Sequence, residues 1–214
     1  MLSILLGMSC RVYINVLLMS LTFCLPDEIF VAFKTEYDGA ENSASKLFKY
    51  IVKTNFHELV SQEKIYSLVQ LRVRVLACKA FADVGLNDLN HVVYSFSHKK
   101  CASAVCWSTA HGVTDIGIDI EPVGNYLQPK ASKFFLNKYD QLFDTSLLEA
   151  WVLKEAAYKC IDRFQFKYIL TDIKISKIGF STYVAKVDGY SCKCMLVRNN
   201  LNYVMAVAWR TQQI

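Results

Sequence analysis

Residues 116–122 read Ile-Gly-Ile-Asp-Ile-Glu-Pro and alternate without a break. Ile116, Ile118 and Ile120 fall on one parity, Gly117, Asp119 and Glu121 on the other. In a strand these parities are opposite faces, and Pro122 is a natural stop. Three isoleucines can bury one face. The other face sets two carboxylates ~6.5–7 Å apart at their Cα atoms. At an effective dielectric near 20, unit charges at that distance repel by about 2.5 kcal/mol. Exposure to water would relieve this, and so would a divalent cation. Two carboxylates without flanking His or Cys favour a hard ion, Mg²⁺ before Zn²⁺.

A helix is predicted some 30 residues on, in "TSLLEAWVLKEAAYKC". Ser146 with Glu149 three residues later is the capping-box pattern. At 100° per residue Trp151, Glu155 and Lys159 share a face with Leu148 and Val152, while Lys154 points elsewhere. Glu155 and Lys159 form an i, i+4 pair, which on a surface contributes a few tenths of a kcal/mol. Beside a tryptophan on the packing side, a partly buried Glu followed by Lys can instead complete a metal site and accept a proton.

The rest of the chain sets the class. Residues 1–25 hold one charge, Arg11, placed inside the apolar stretch rather than before it. The run after Arg11 is too short for a membrane span, and its Val, Ile, Tyr and Phe content suits buried strands. Residues 34–46 are expected to form a surface loop, and 44–83 two helices, the second starting at Ser61 and ending at Gly85. On that second helix Ile65, Leu68, Val69, Val75 and Leu76 form the apolar face, with Arg72 in its middle. Arg72 either snorkels to a carboxylate or lines an anion pocket. "HVVYSFSHKKCASAVCWS" is a strand-turn-strand candidate with its turn at His98-Lys99-Lys100, and "KASKFFLNKYDQLF" a short helix. Four alternating segments after residue 168 predict antiparallel strands, with turns at Gly189 and Asn199-Asn200. The class is α+β.

Composition narrows the function. With 214 residues, 53% apolar and 20% charged, the chain is globular, as one compact domain or two small ones. A net charge of +5 without a dense Lys/Arg cluster suits an anionic ligand or acidic partner and does not argue for nucleic acid. The eight cysteines form no recurring CxxC and sit mostly in apolar runs, which points to buried thiols in a reducing cytoplasm.

"IGIDIEP", about 30 residues, and then "WVLKEAAYK" resembles the signature of the Sfp-type 4′-phosphopantetheinyl transferases, Gly-Ile-Asp…Trp-x-x-Lys-Glu-x-x-x-Lys. "YSFSHKK" at 94–100 is similar to that family's Ser-x-Ser-His element, and "KFF" at 133–135 to its aromatic pair. The resemblance spans about residues 94–160. It implies Mg²⁺-dependent transfer of the phosphopantetheine arm of coenzyme A to a serine of an apo acyl, peptidyl or polyketide carrier protein. Asp119, Glu121 and Glu155 would hold Mg²⁺, and Glu155 would also deprotonate the serine. Lys159 would contact the pyrophosphate, and Ser97 and His98, with Arg72 a further candidate, the CoA phosphates. It also implies a monomer of two similar α+β halves, 1–110 and 111–214, with the active site between them, and no membrane partner. The family's Gly-Lys-Pro element has no counterpart in "GLNDLNHVVY". A Mg²⁺-dependent hydrolase of the CoA pyrophosphate, or a member that binds CoA or a carrier without turnover, would use the same residues.

Overall fold

The computed structural model describes residues 2–6, 10–15, 20–25, 28–35, 43–61, 63–125, 127–162, 167–198 and 202–212. The chain divides into two compact units, the first of residues 1–92 and 96–109, the second of 93–95 and 110–214. The class is α+β, built on two antiparallel sheets with few helices.

The apolar N-terminus forms strands, as its β-branched and aromatic content predicts. β1 (Leu2–Leu6), β2 (Cys10–Asn15), β3 (Ser20–Leu25) and β4 (Ile29–Thr35) run as a meander. α1 (Ala44–Val52) and α2 (Leu68–Asp83) follow, then β5 (Val93–Lys99) and β6 (Ala102–Ser108). The first sheet has the order β1-β2-β3-β4-β6-β5. The loop expected at 34–46 falls mainly outside the described residues. In the first unit's core, Trp107 stacks on Phe30 at 5.5 Å between centroids and meets Phe81 edge-on at 5.3 Å.

Three expectations need correction here. α2 starts at Leu68, not Ser61, because Ser67 and Gln70 close a capping box there. Ile65 is 96% exposed and belongs to no helical face; Leu71, Val73, Val75, Leu76 and Phe81 are the large buried residues of α2. The β5–β6 turn falls at Lys100-Cys101, so His98 and Lys99 lie in strand.

The second unit holds the quoted alternation. β7 (Val113–Pro122), a short 3-10 helix (Pro129–Phe134), α3 (Leu147–Ile161), β8 (Lys174–Lys177), β9 (Thr182–Val187), β10 (Tyr190–Arg198) and β11 (Tyr203–Thr211) follow in order. The sheet order is β7-β11-β10-β9-β8. Only the 3-10 turn forms where a helix is expected at 130–143; the chain then runs beside β8 through a parallel bridge from Gln141 to Ser176. Gly189 takes φ +83 in the β9–β10 turn, a conformation open to glycine. The turn expected at Asn199-Asn200 lies outside the described residues.

α3 begins at the predicted capping box, Ser146 with Glu149. It covers one face of the second sheet, where Val152, Ala156 and Cys160 pack with Ala185, Cys194 and Ala206 in one buried cluster. Among the described residues, no helix is long and apolar enough to cross a membrane.

Candidate functional site

β7 and α3 meet through Gly117. A Cβ built there would lie 2.8 Å from the Cys160 amide nitrogen and 3.1 Å from Lys159 Cβ, with the Ala156 carbonyl oxygen closer still. The glycine thus lets the helix backbone press against the strand. The space it leaves belongs to α3 and not to a ligand. The three isoleucines of the other parity are fully buried.

That close approach brings the polar parity of β7 under α3. Asp119 and Glu121 are both buried. Lys159 Nζ donates to Asp119 Oδ1 at 2.8 Å and to the Ile118 carbonyl at 2.9 Å. Glu121 accepts from Trp151 Nε1 at 3.3 Å and from Asn125 Nδ2 at 2.9 Å. One carboxylate therefore faces a cation, while two neutral donors share the other's charge, and the repulsion between them is offset. Glu155 is half-buried on α3, one turn from Trp151 and one from Lys159. Its negative charge helps raise the pKa of Tyr158 above 10.0, after burial and the charge of Asp162.

The other predicted residues sit in the first unit. Ser97 is buried and His98 half-buried, both in β5. Arg72 Nη1 on α2 reaches the Lys100 carbonyl at 3.4 Å. Among the described residues, no three His, Cys, Asp or Glu side chains are drawn together as a ready metal cluster. The donor set of β7 nonetheless suits a hard ion, being two buried carboxylates on one strand face with oxygen donors only.

Four contacts escaped the sequence. The indole of Trp151 packs edge-on with Phe135 and also donates to Glu121. Asn125 reaches Glu121 because a turn closes from the Pro122 carbonyl to the Asn125 amide. Ser95 Oγ, first serine of the Ser-x-Ser-His element, accepts from the Ile118 amide at 3.3 Å within the second unit. Lys154 is fully buried, paired with Asp140 at 2.8 Å and donating to the carbonyl of Ile173. Burial lowers its pKa, and the Asp140 hydrogen bond and charge oppose that.

The thiols are quiet. The described cysteines 78, 101, 106, 160, 192 and 194 are all free, and only Cys101 is exposed. The sequence matches no family model and no curated protein.

Proposed function

We propose that the chain is a phosphopantetheinyl transferase of the Sfp type, with coenzyme A as co-substrate and an apo carrier protein as acceptor. The observation that supports this best is the β7–α3 pair. It brings Lys159 and Trp151 of α3 onto Asp119 and Glu121, two buried carboxylates on one strand face, in the order of the motif. The reading includes the family's two similar α+β halves and a cytoplasmic protein.

In this reading Asp119, Glu121 and Glu155 would hold Mg²⁺, which would supply positive charge against the pyrophosphate. The residues of the chain do the rest. Glu155 takes the proton from the carrier serine as its oxygen forms a bond to phosphorus and the bond to the nucleotide half of CoA breaks. Lys159 stabilises the charge that develops on the leaving phosphate. Ser97, His98 and Arg72 are assigned to the remaining CoA phosphates, His98 donating a hydrogen bond even when neutral.

A second reading rests on the Lys159–Asp119 ion pair, which already offsets one carboxylate without a metal. A member that binds CoA or a carrier without turnover would keep this pair closed.

Incubation with CoA, Mg²⁺ and a panel of apo carriers, followed by mass spectrometry of the carriers, separates the two. Transfer predicts a gain of the phosphopantetheine mass on at least one carrier. Glu155→Gln should abolish that gain while largely sparing CoA binding. CoA binding with no mass gain on any carrier would sink the transferase and leave the binder.

A further inference from the structure

Turns between strands ordinarily carry Gly, Asn, Asp, Ser or Pro. The β8–β9 turn instead reads Ile-Gly-Phe-Ser from Ile178 to Ser181. It sets two large apolar side chains in water, Phe180 at 85% exposure and Ile178 at 64%. Phe143 is 71% exposed, and Lys177, the residue before Ile178, ties it to the turn by donating from Nζ to the Phe143 carbonyl at 3.1 Å.

The backbone beneath these side chains is held. The amides of Ile178 and Gly179 both donate to the Thr182 carbonyl, at 2.9 and 3.1 Å, and the Ser181 carbonyl accepts from the Leu196 amide at 2.8 Å. A Cβ at Gly179 would strike Thr182 Oγ1, so the tight turn needs its glycine. On the Phe143 side, the Gln141 amide donates to the Ile175 carbonyl at 2.8 Å, and Thr145 Oγ1 hydrogen-bonds Tyr183 Oη at 3.1 Å. Single exposed apolar residues need no explanation, but three large ones grouped on fixed backbone mark an interaction surface. Fixed backbone also lowers the ordering cost of contact.

The place of the patch points to its partner. Ser181 shares a row of the sheet with Leu196, Ala206 and Asp119. The turn therefore lies three strand spacings, about 14 Å, from Asp119. From the other side, Phe143 leads into α3, and Glu155 lies about 12 Å along that helix from Leu147. Two packed helices, each about 10 Å across, span such distances. Charge narrows the choice further. The hairpin, residues 173–187, carries three lysines and no Asp or Glu, although Asp144 follows Phe143. An acidic partner suits that balance, and a second copy of this chain, at net +5, suits it less.

We propose, resting on the transferase reading, that Phe143, Ile178 and Phe180 dock the acceptor protein by an apolar stripe on one of its helices, bordered by Asp and Glu. Docking there would hold the acceptor beside the β7–α3 carboxylates.

The test uses the full chain, CoA, Mg²⁺ and the panel of apo carriers, with I178S/F180S as the variant, folded by circular dichroism. The variant should raise KM for the carrier about tenfold or more, while kcat and KM for CoA stay at their wild-type values. Apo carrier should also move the amide resonances of residues 142–145 and 177–182 in wild type, a readout that needs no turnover. An unchanged carrier KM, a loss confined to kcat, unmoved amides in those segments, or the same amides moved by phosphatidylserine vesicles and not by carrier would each overturn the proposal. If wild type modifies no carrier, the transferase reading fails by itself. Docking then stands if wild type binds a carrier that I178S/F180S does not, and falls if no carrier binds.

Discussion

Gly117→Ala tests whether the strand and the helix are as close as the geometry requires. The added methyl would sit 2.8 Å from the Cys160 nitrogen, where ordinary contact begins at 3.4 Å, and nearer still to the Ala156 oxygen. Both obstacles are backbone atoms of α3, so no rotamer change relieves them. The helix must slide, and its neighbours Val152, Leu153, Ala156 and Ala157 are all fully buried in a packed core. Overpacking of this kind costs about 1–3 kcal/mol, and a rigid backbone obstacle puts Gly117→Ala at the upper end, about 3 kcal/mol. For a chain of this size that is a fall in melting temperature of about 6–12 °C. Urea denaturation of wild type and variant, followed by far-UV circular dichroism, reads the difference directly. The same slide would pull Lys159 from Asp119 and Trp151 from Glu121, so whatever the site does should weaken together with stability. A variant within about 0.5 kcal/mol of wild type would refute the close approach, because surface-like tolerance is incompatible with a methyl placed against helix backbone.

Three further outcomes follow from single contacts. Lys154→Met should cost about 3–5 kcal/mol by urea denaturation, since it strands the buried Asp140 carboxylate without its cation; a loss under about 1 kcal/mol would show that the pair is not buried. Burial, then the bond with Cys192, holds the Cys160 thiol well above 9.0; Cys192, pulled down by Cys160, is pushed well above 9.0 by its bond with Cys194 and by burial. Acids raised in this way add stability in full below pH 9 and lose it as pH climbs through their folded values. The stability gap between wild type and C160A/C192A should therefore narrow from about pH 8 to about pH 10, and a constant gap would contradict it. Lys159→Met removes the ammonium that meets Asp119, so MgCl₂ should raise the melting temperature of the variant more than that of wild type, and equal shifts would argue against metal affinity in these carboxylates.

What the sequence shows well is local. The alternation of residues 116–122 and the Ser146–Glu149 box each carry their own geometry, and β7 and α3 include them as that geometry requires. What it shows poorly depends on partners far along the chain. By spacing Ile65 belongs to a helical stripe, yet the helix starts only where Ser67 and Gln70 can satisfy its first amides. The pattern of residues 135–142 is helical, but Asp140 accepts from the Asn137 amide at 2.7 Å and the Ile175 amide at 2.8 Å, tying that segment to β8 instead. A helical wheel placed Lys154 off the Trp151 face; it had no means to show that the other face is equally buried. Likewise, nothing local in the sequence points Lys159 to Asp119, 40 residues away.

The polar face of β7 is held by the helix as much as by the strand. Gly117 allows the approach, and with the approach come a cation for Asp119 and an indole N–H for Glu121, both from the one face of α3 that also carries Glu155. A strand bearing two carboxylates could have been stabilised by turning them to water. This one buries them, which is costly unless positive charge is supplied close by. Lys159 supplies it on a half-exposed arm that bonds a backbone carbonyl as well, so its ammonium keeps one partner if Asp119 turns to another cation. That is the property a carboxylate site needs in order to exchange a built-in counter-ion for a bound one without unfolding the strand beneath it.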